Sequence, residues 1–455
     1  MSTTTSNVSE FIVNLSYNKI EKQTISYAKK AILDTIGVAI GGSNTEASTL
    51  LTNFIGNFKD KEESSILGKD SFQTSSLNAA LVNGFRAHVL DYDDVYPEMS
   101  GHPSAPLVSA IISLGEKEEI SGEKFLEAYV TGFEIQSRLA EVIFPEHDKK
   151  GWHSTSTTGV MGAAAASAKI LNLNLEEVNV ALGIAGSLAC GLRQNFGTMT
   201  KPLHAGNASK NGIFASLLAQ KGFTAYEDIL DATYGYCKVF SGKEDINYEK
   251  WSKSFGRPLV LSLPNVGLKK YPSCFATHQA LDAILSLLSE NDFVYENIKE
   301  VRCETAPRFL RVLSYHSPDT EVEAKFSMEY CIARAIIDKK LGLEQFTLAK
   351  IQDPQVKELE TRIKFIVHPQ QQNEEGFGFT SVTVILKNGD HLNKKIVKPS
   401  GSPINTITKD ALLLKYLDCT KNVLPQHNID QSLEYLENLE KLDSIKKLIS
   451  VICVK

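Results

Sequence analysis

Apolar residues recur every three or four positions through most of the chain from about Ser9 to Arg257, the period of helices with one buried stripe. "TISYAKKAILDTIGVAIGG" carries that period and stops at Gly41-Gly42, a common helix ending. In "NLEEVNVALGIAGSLACGL", Asn174 precedes Glu177 by three positions, the spacing of a capping box, which fixes a helix start there. "GVMGAAAASAKIL", from Gly159, has small residues on every face, so neighbouring backbones can approach closely and the helix is expected to be central. "HAGNASKNGIFASLLAQKG" reads as one more helix, ending at Gly222.

After Pro264 the pattern changes. "NIKEVRCETAP", "TRIKFIVHP" and "FTSVTVILKNGDHLNKKIV" cluster or alternate β-branched residues, and Asn388-Gly389 in the last of them is a strong hairpin signal. "THQALDAILSLLSEN" and "EVEAKFSMEYCIARAIIDKKL" are helical stretches between them. Past "KPSGSP" the helical period returns, from about Lys409 to the end. The chain is therefore predicted to be mainly α: a helical domain over 1–264, a smaller α+β domain over 265–400, and a helical segment over 401–455 that can complete the first domain and leave the α+β part as an insertion.

The totals narrow the function. At 455 residues the chain exceeds the roughly 100–200 residues of one domain. A hydrophobic share of 42% and a charged share of 22% are those of an ordinary globular protein. A net charge of -6 argues against a nucleic-acid partner, which needs a dense basic face. No apolar run approaches the roughly 20 residues of a membrane span, and "MSTTTSNVSEF" lacks a secretion signal, so a cytoplasmic location and no membrane partner are expected. Seven scattered cysteines without a Cys-x-x-Cys pair read as reduced thiols.

Gly-x-Gly-x-x-Gly, Walker, His-Glu-x-x-His and Gly-x-Ser-x-Gly motifs are all missing, which removes most dinucleotide, nucleotide and common hydrolase chemistry. What remains is polar stretches set between apolar helices. "LDYDDVYPEMSGHPSAP" places Asp91, Asp93, Asp94 and Glu98 within eight positions and continues to His102, between two stretches that read as buried helices. "KKGWHSTSTTG" carries His153, "NFGTMTKPLHAGNASKNG" carries Lys201, His204 and Lys210, and "VGLKKYPSCFATH" carries Lys269, Lys270, Tyr271, Cys274 and His278. Each stretch stands at a helix boundary, where unpaired backbone N–H groups favour an anion. Lysines and histidines gathered there suit a substrate with several carboxylates, with Asp91 orienting a histidine or acting as a base. A histidine at a helix start is more often structural than catalytic, so His102 and His153 stand at even odds. His88, on an apolar helix, reads as structural; His147, His316, His368, His391 and His427 read as surface residues, and the Cys274 thiol as packing. Spacing alone does not choose between Lys269 and Lys270. A different class, a helical Mg²⁺-diphosphate enzyme built on "DYDD", needs a second acidic cluster on a facing helix, and none is found.

"LDYDD", "GHPSAP", "GWHSTSTTG", "TKPLHAGNASKNG" and "LKKYPSCFATHQALDA", in this order and spacing, resemble the MmgE/PrpD family over nearly the whole chain. The resemblance implies a large all-helical domain formed by both chain ends, an inserted α+β lid, a homodimer, and a site between the domains that needs no organic cofactor and no metal. It carries site roles onto Asp91, His102, His153, Lys201 and Lys269 as catalytic residues, with His204 nearby; His204, Tyr271 and Cys274 are expected toward substrate. The activity implied is proton transfer next to a carboxylate. The favoured form is elimination of water as in 2-methylcitrate dehydratase; decarboxylation as in cis-aconitate decarboxylase, epimerisation as in iminodisuccinate epimerase, or a non-catalytic member are the alternatives. Two departures weaken the transfer of any one substrate and leave cis-aconitate decarboxylation the less favoured form. Val95 stands where the dehydratase and decarboxylase branches have Thr, with a loop to His102 about one residue longer, and Cys274 stands where the decarboxylase branch has a lid His. The later lid tyrosine has only Tyr315 nearby.

Overall fold

The computed structural model describes residues 3–374 and 376–454. The chain divides into two compact units: unit 1 comprises the chain up to Gln194, Thr200–Gly267 and the segment from Thr408 onward, and unit 2 comprises Asn195–Met199 and Leu268–Ile407. Each is described by itself.

Unit 1 is helical. Its main helices are α1 (Lys22–Gly42), α2 (Ser76–Val89), α3 (Ser104–Lys117), α4 (Gly122–Ile143), α5 (Ser154–Ile170), α6 (Leu175–Ser187) and α7 (Thr200–Gln220). The helix over the Ala-rich stretch, α5, is buried at every position, as its small residues on all faces predict. It packs on α3, α4, α6 and α7, and Val160, Met161, Ala164, Ala165 and Ala168 join Ile135, Leu139, Leu182, Ala208 and Ala215 in one core. The Asn174–Glu177 capping box opens α6. Helices α2 and α7 meet most extensively, and the reason is glycine: a Cβ on Gly206 would stand 2.1 Å from the Leu81 carbonyl oxygen, and one on Gly84 would stand 2.7 Å from the Gly206 Cα.

In unit 2, α8 (His278–Glu290) and α9 (Met328–Asp338) cover a four-stranded sheet of β1 (Ile298–Thr305), β2 (Ile363–Val367), β3 (Thr380–Leu386) and β4 (His391–Ile396), in the order β2-β1-β3-β4. The pair β3–β4 is the antiparallel hairpin that Asn388-Gly389 predicts, with Gly389 at φ 95. The core holds Leu281, Ile284, Val301, Cys303, Tyr330, Ile332, Val382 and Val384. Asn195–Met199 counts with this unit because Phe196 packs against Phe326 and its carbonyl accepts from the Tyr315 hydroxyl at 3.1 Å.

After unit 2 the chain returns to unit 1 with α10 (Lys409–Thr420), which packs on α1. Buried Lys415 pairs with buried Asp34 of α1 at 2.6 Å and donates to the Tyr92 carbonyl at 2.7 Å. Among the described residues, no helix is long and apolar enough to cross a membrane.

Candidate active site

The acidic stretch after α2 is not a solvated loop. Asp91, Asp93 and Asp94 are buried while Glu98 is exposed, and the segment is fastened at several points. Val95 exchanges two 2.8 Å backbone hydrogen bonds with Gly267, Tyr96 N–H donates to the Gly101 carbonyl, and Lys415 holds the Tyr92 carbonyl. Asp91 adopts φ 50, a left-handed conformation that most side chains avoid and that Asp tolerates better than most.

The three aspartates have separate partners. Asp94 takes the backbone N–H of Ser104 at 3.1 Å and its hydroxyl at 2.5 Å; burial raises its carboxyl well above the usual range, so it serves to close the loop onto the start of α3. Asp93 accepts from His88 Nδ1 at 2.8 Å and lies 3.3 Å from His102 Nδ1. Burial works to raise Asp93, but its neighbours His102 and His88 prevail and hold it well below the carboxylate range. Asp91 pairs with Lys201 Nζ and lies 3.9 Å from His102 Nε2.

Lys201, in the first turn of α7, is buried and also donates to His88 Nε2 at 3.0 Å. This chain of contacts fixes a tautomer: Asp93 takes the Nδ1 proton of His88, so Nε2 offers its lone pair to the lysine. Burial pushes His88 down to about 3, which keeps the ring neutral in that arrangement. His153 is the N-cap residue of α5; its ring stacks on His88 at 5.8 Å, and His102 meets His88 edge-on at 4.5 Å. Burial, then Lys201, hold His153 well below its ordinary value. His153 Nδ1 lies 3.0 Å from His204 Nδ1, one turn beyond Lys201 on α7. Three imidazoles thus surround one ammonium at the starts of α5 and α7 and the end of α2, where a bound anion would also meet helix N-termini.

Asp91, His102, His153, Lys201 and His204 are brought together in unit 1. Lys269, Tyr271 and Cys274 belong to unit 2. There Lys269 is fully buried, the Tyr271 hydroxyl donates to Asp282 at 2.7 Å, and Cys274 packs against the unit's core. Of Lys269 and Lys270, the second points outward, its amine about half exposed.

His88 is buried, as its apolar helix implies, and has polar partners: its side chain lies at the helix end, where the following five residues fold back and supply Asp93. Asp91 holds Lys201 and lies 3.9 Å from His102 Nε2, while Asp93 is the acceptor for His88. One expectation is corrected: His147 is buried, not on the surface, and bonds the Thr157 hydroxyl at 2.7 Å. The signal for His88 and Asp93 was their proximity in "HVLDYDD".

His88, Asp91 and His102 offer ligand atoms within 4.8 Å of one another, close enough to hold a metal ion. The cation these atoms face is Lys201, which bonds both Asp91 and His88, so an ion would have to displace the amine.

Comparison with known proteins adds to this geometry. Residues 6–249 match the model of the MmgE/PrpD N-terminal domain and residues 271–441 that of the MmgE/PrpD C-terminal domain. The chain is 28% identical to cis-aconitate decarboxylase of Mus musculus, over 96% of this chain and 91% of that protein. It is 25% identical to cis-aconitate decarboxylase of Homo sapiens, over 97% and 92%, and 23% identical to that of Aspergillus terreus, over 98% and 95%.

Proposed function

Because the chain belongs to the MmgE/PrpD family, we propose that it is a lyase acting on a small polycarboxylic acid, and that its reaction is loss of CO2 from an unsaturated tricarboxylate of the cis-aconitate type. The observation that carries this reading is the buried Lys201 ammonium among His88, His102 and His153. The names of the relatives favour decarboxylation over the elimination of water that Cys274 favours from sequence.

The chemistry follows from charge. Losing CO2 leaves an electron pair on a carbon next to a remaining carboxylate, a state that water stabilises poorly. Lys201, fixed by Asp91 and His88, sets a positive charge where that carboxylate would lie, and preorganised electrostatics of this kind is commonly the largest catalytic contribution. The carbon then needs a proton, and His153 supplies it. Elimination of water from a hydroxylated acid is the second reading, favoured by Cys274 where the decarboxylase branch has a histidine.

The test is a panel of di- and tricarboxylates assayed with the wild type and with His153→Ala. Release of CO2 from cis-aconitate, lost in His153→Ala, is expected. Water elimination without CO2 would support the second reading, and an unchanged rate in His153→Ala would remove the histidine's role.

A further inference from the structure

We propose that His204 is the positioning residue that makes His153 the acid: its Nδ1–H donates to His153 Nδ1, so that His153 carries its own proton on Nε2. The inference rests on the preceding reading that a proton is delivered to carbon. Its basis is the 3.0 Å approach of the two Nδ1 atoms, with ring centres 5.2 Å apart. Two neutral imidazoles facing each other through like nitrogens share a single N–H, and the ring that donates it dictates the tautomer of the other. Both rings are neutral near pH 7: burial, then Lys201, lower His153 well below its usual value and His204 to about 4.

The direction of donation follows from the surroundings. A pocket that receives a polyanion favours an N–H over a lone pair on the ring nitrogen it meets, which places the shared proton on His204. His204 can accept that tautomer because it keeps contact with water, at 8% exposed against 2% for His153. It lies beneath the segment around Gly191, whose carbonyl accepts from the His153 backbone N–H at 3.0 Å. Gly191 sits at φ 120, a conformation that side chains rarely adopt, and a Cβ there would stand 3.0 Å from Ser156 Cβ, so the segment takes this path beside the pair as glycine. The neighbouring Cys190 and Leu192 are exposed.

The result is two stacked imidazoles with opposite tautomers. Asp93, an acceptor, leaves His88 Nε2 as a lone pair bound to Lys201; His204, a donor, leaves His153 Nε2 as N–H. This assigns the acid to His153, whose Nδ1 takes the His204 proton as its Nε2–H passes to carbon while water returns a proton to His204, and gives His88 the task of holding the lysine.

The test compares three substitutions. His204→Asn places an amide N–H near the position of Nδ1 and should retain at least a third of the wild-type kcat. His204→Ala removes the donor, and His204→Asp replaces it with an acceptor; both should lose ten- to a hundredfold in kcat with KM within about threefold. In protein labelled with ¹⁵N-histidine, His153 Nε2 should carry the proton in the wild type and in His204→Asn, and should lose that tautomer in His204→Asp. A wild-type His153 protonated on Nδ1, or a His204→Asn as impaired as His204→Ala, would overturn the inference. An enzyme inert toward every acid in the panel would instead overturn the reading it rests on, while the nitrogen shifts still decide the tautomer.

Discussion

At the scale of single residues, the site is a set of side chains held by specific polar partners. Removing Asp93 as an anion is the sharpest probe: in Asp93→Asn, His88 loses the acceptor that orients it, and kcat is expected to fall about ten- to a hundredfold although no group touching substrate has changed. Lys201→Met should cost about 3 kcal/mol of transition-state stabilisation, roughly a hundredfold in kcat/KM. Buried histidines also set the response to acid. His88 and His147 are lowered to about 3 and His204 to about 4, chiefly because burial disfavours the charged ring. Unfolded histidines bind protons as pH falls through roughly 6.5. The folded ones do not until about 4, so their contribution to stability is complete above roughly 6.5 and is lost on the way down, at up to about 1.4 kcal/mol per pH unit per residue. Thermal melts should show Tm falling from about pH 7 to about pH 5 and a shallower fall in His147→Gln; a flat Tm would contradict the burial. Residue types and motif spacing pointed to His102, His153 and Lys201, because Gly, Ser and Thr beside a basic residue leave room for a ligand. They did not show the partners of His88, since helical period reports which face is buried and not which polar group waits there.

At the scale of elements, the clustered histidines and lysine depend on how closely α2, α5 and α7 approach. Gly206 lies two residues beyond His204 on α7, against the Leu81 carbonyl of α2. Gly206→Ala would force the two helices apart, and a cost of about 1–3 kcal/mol in stability is expected. The same shift moves the start of α7, so kcat should drop more than the loss of folded protein accounts for; urea unfolding and kinetics on the same preparation separate the two effects. The elements themselves were legible. Helical period, the capping box at Asn174 and the Asn388-Gly389 turn each report a local preference, and each appears in the structure. The acidic segment between α2 and α3 was not legible in detail. Its form depends on Gly267, Ser104 and Lys415, contacts that arise only once distant parts of the chain have folded together.

At the scale of the whole molecule, the C-terminal return of the chain is tied to the site. Lys415 joins α10 to Asp34 of α1 and to the backbone between Asp91 and Asp93. Lys415→Met would leave Asp34 buried without its counter-charge, a change that costs about 3–5 kcal/mol, and would release the Tyr92 carbonyl. Both Tm and kcat should fall, whereas loss of Tm alone would mean that the acidic segment holds its shape unaided. Nothing local in "LLLKYLDCT" indicates this link, because Lys415 reads there as one more polar position on a helix. The central claim is that buried Lys201 and its three imidazoles stabilise negative charge on carbon and then protonate it. The most direct measurement follows ¹³C-labelled cis-aconitate with the wild-type enzyme in D2O. The account predicts CO2 and an unsaturated five-carbon dicarboxylate in equal amounts, with one deuterium placed on carbon in each product molecule. Recovery of the acid unchanged, or its hydration with no CO2, would contradict it.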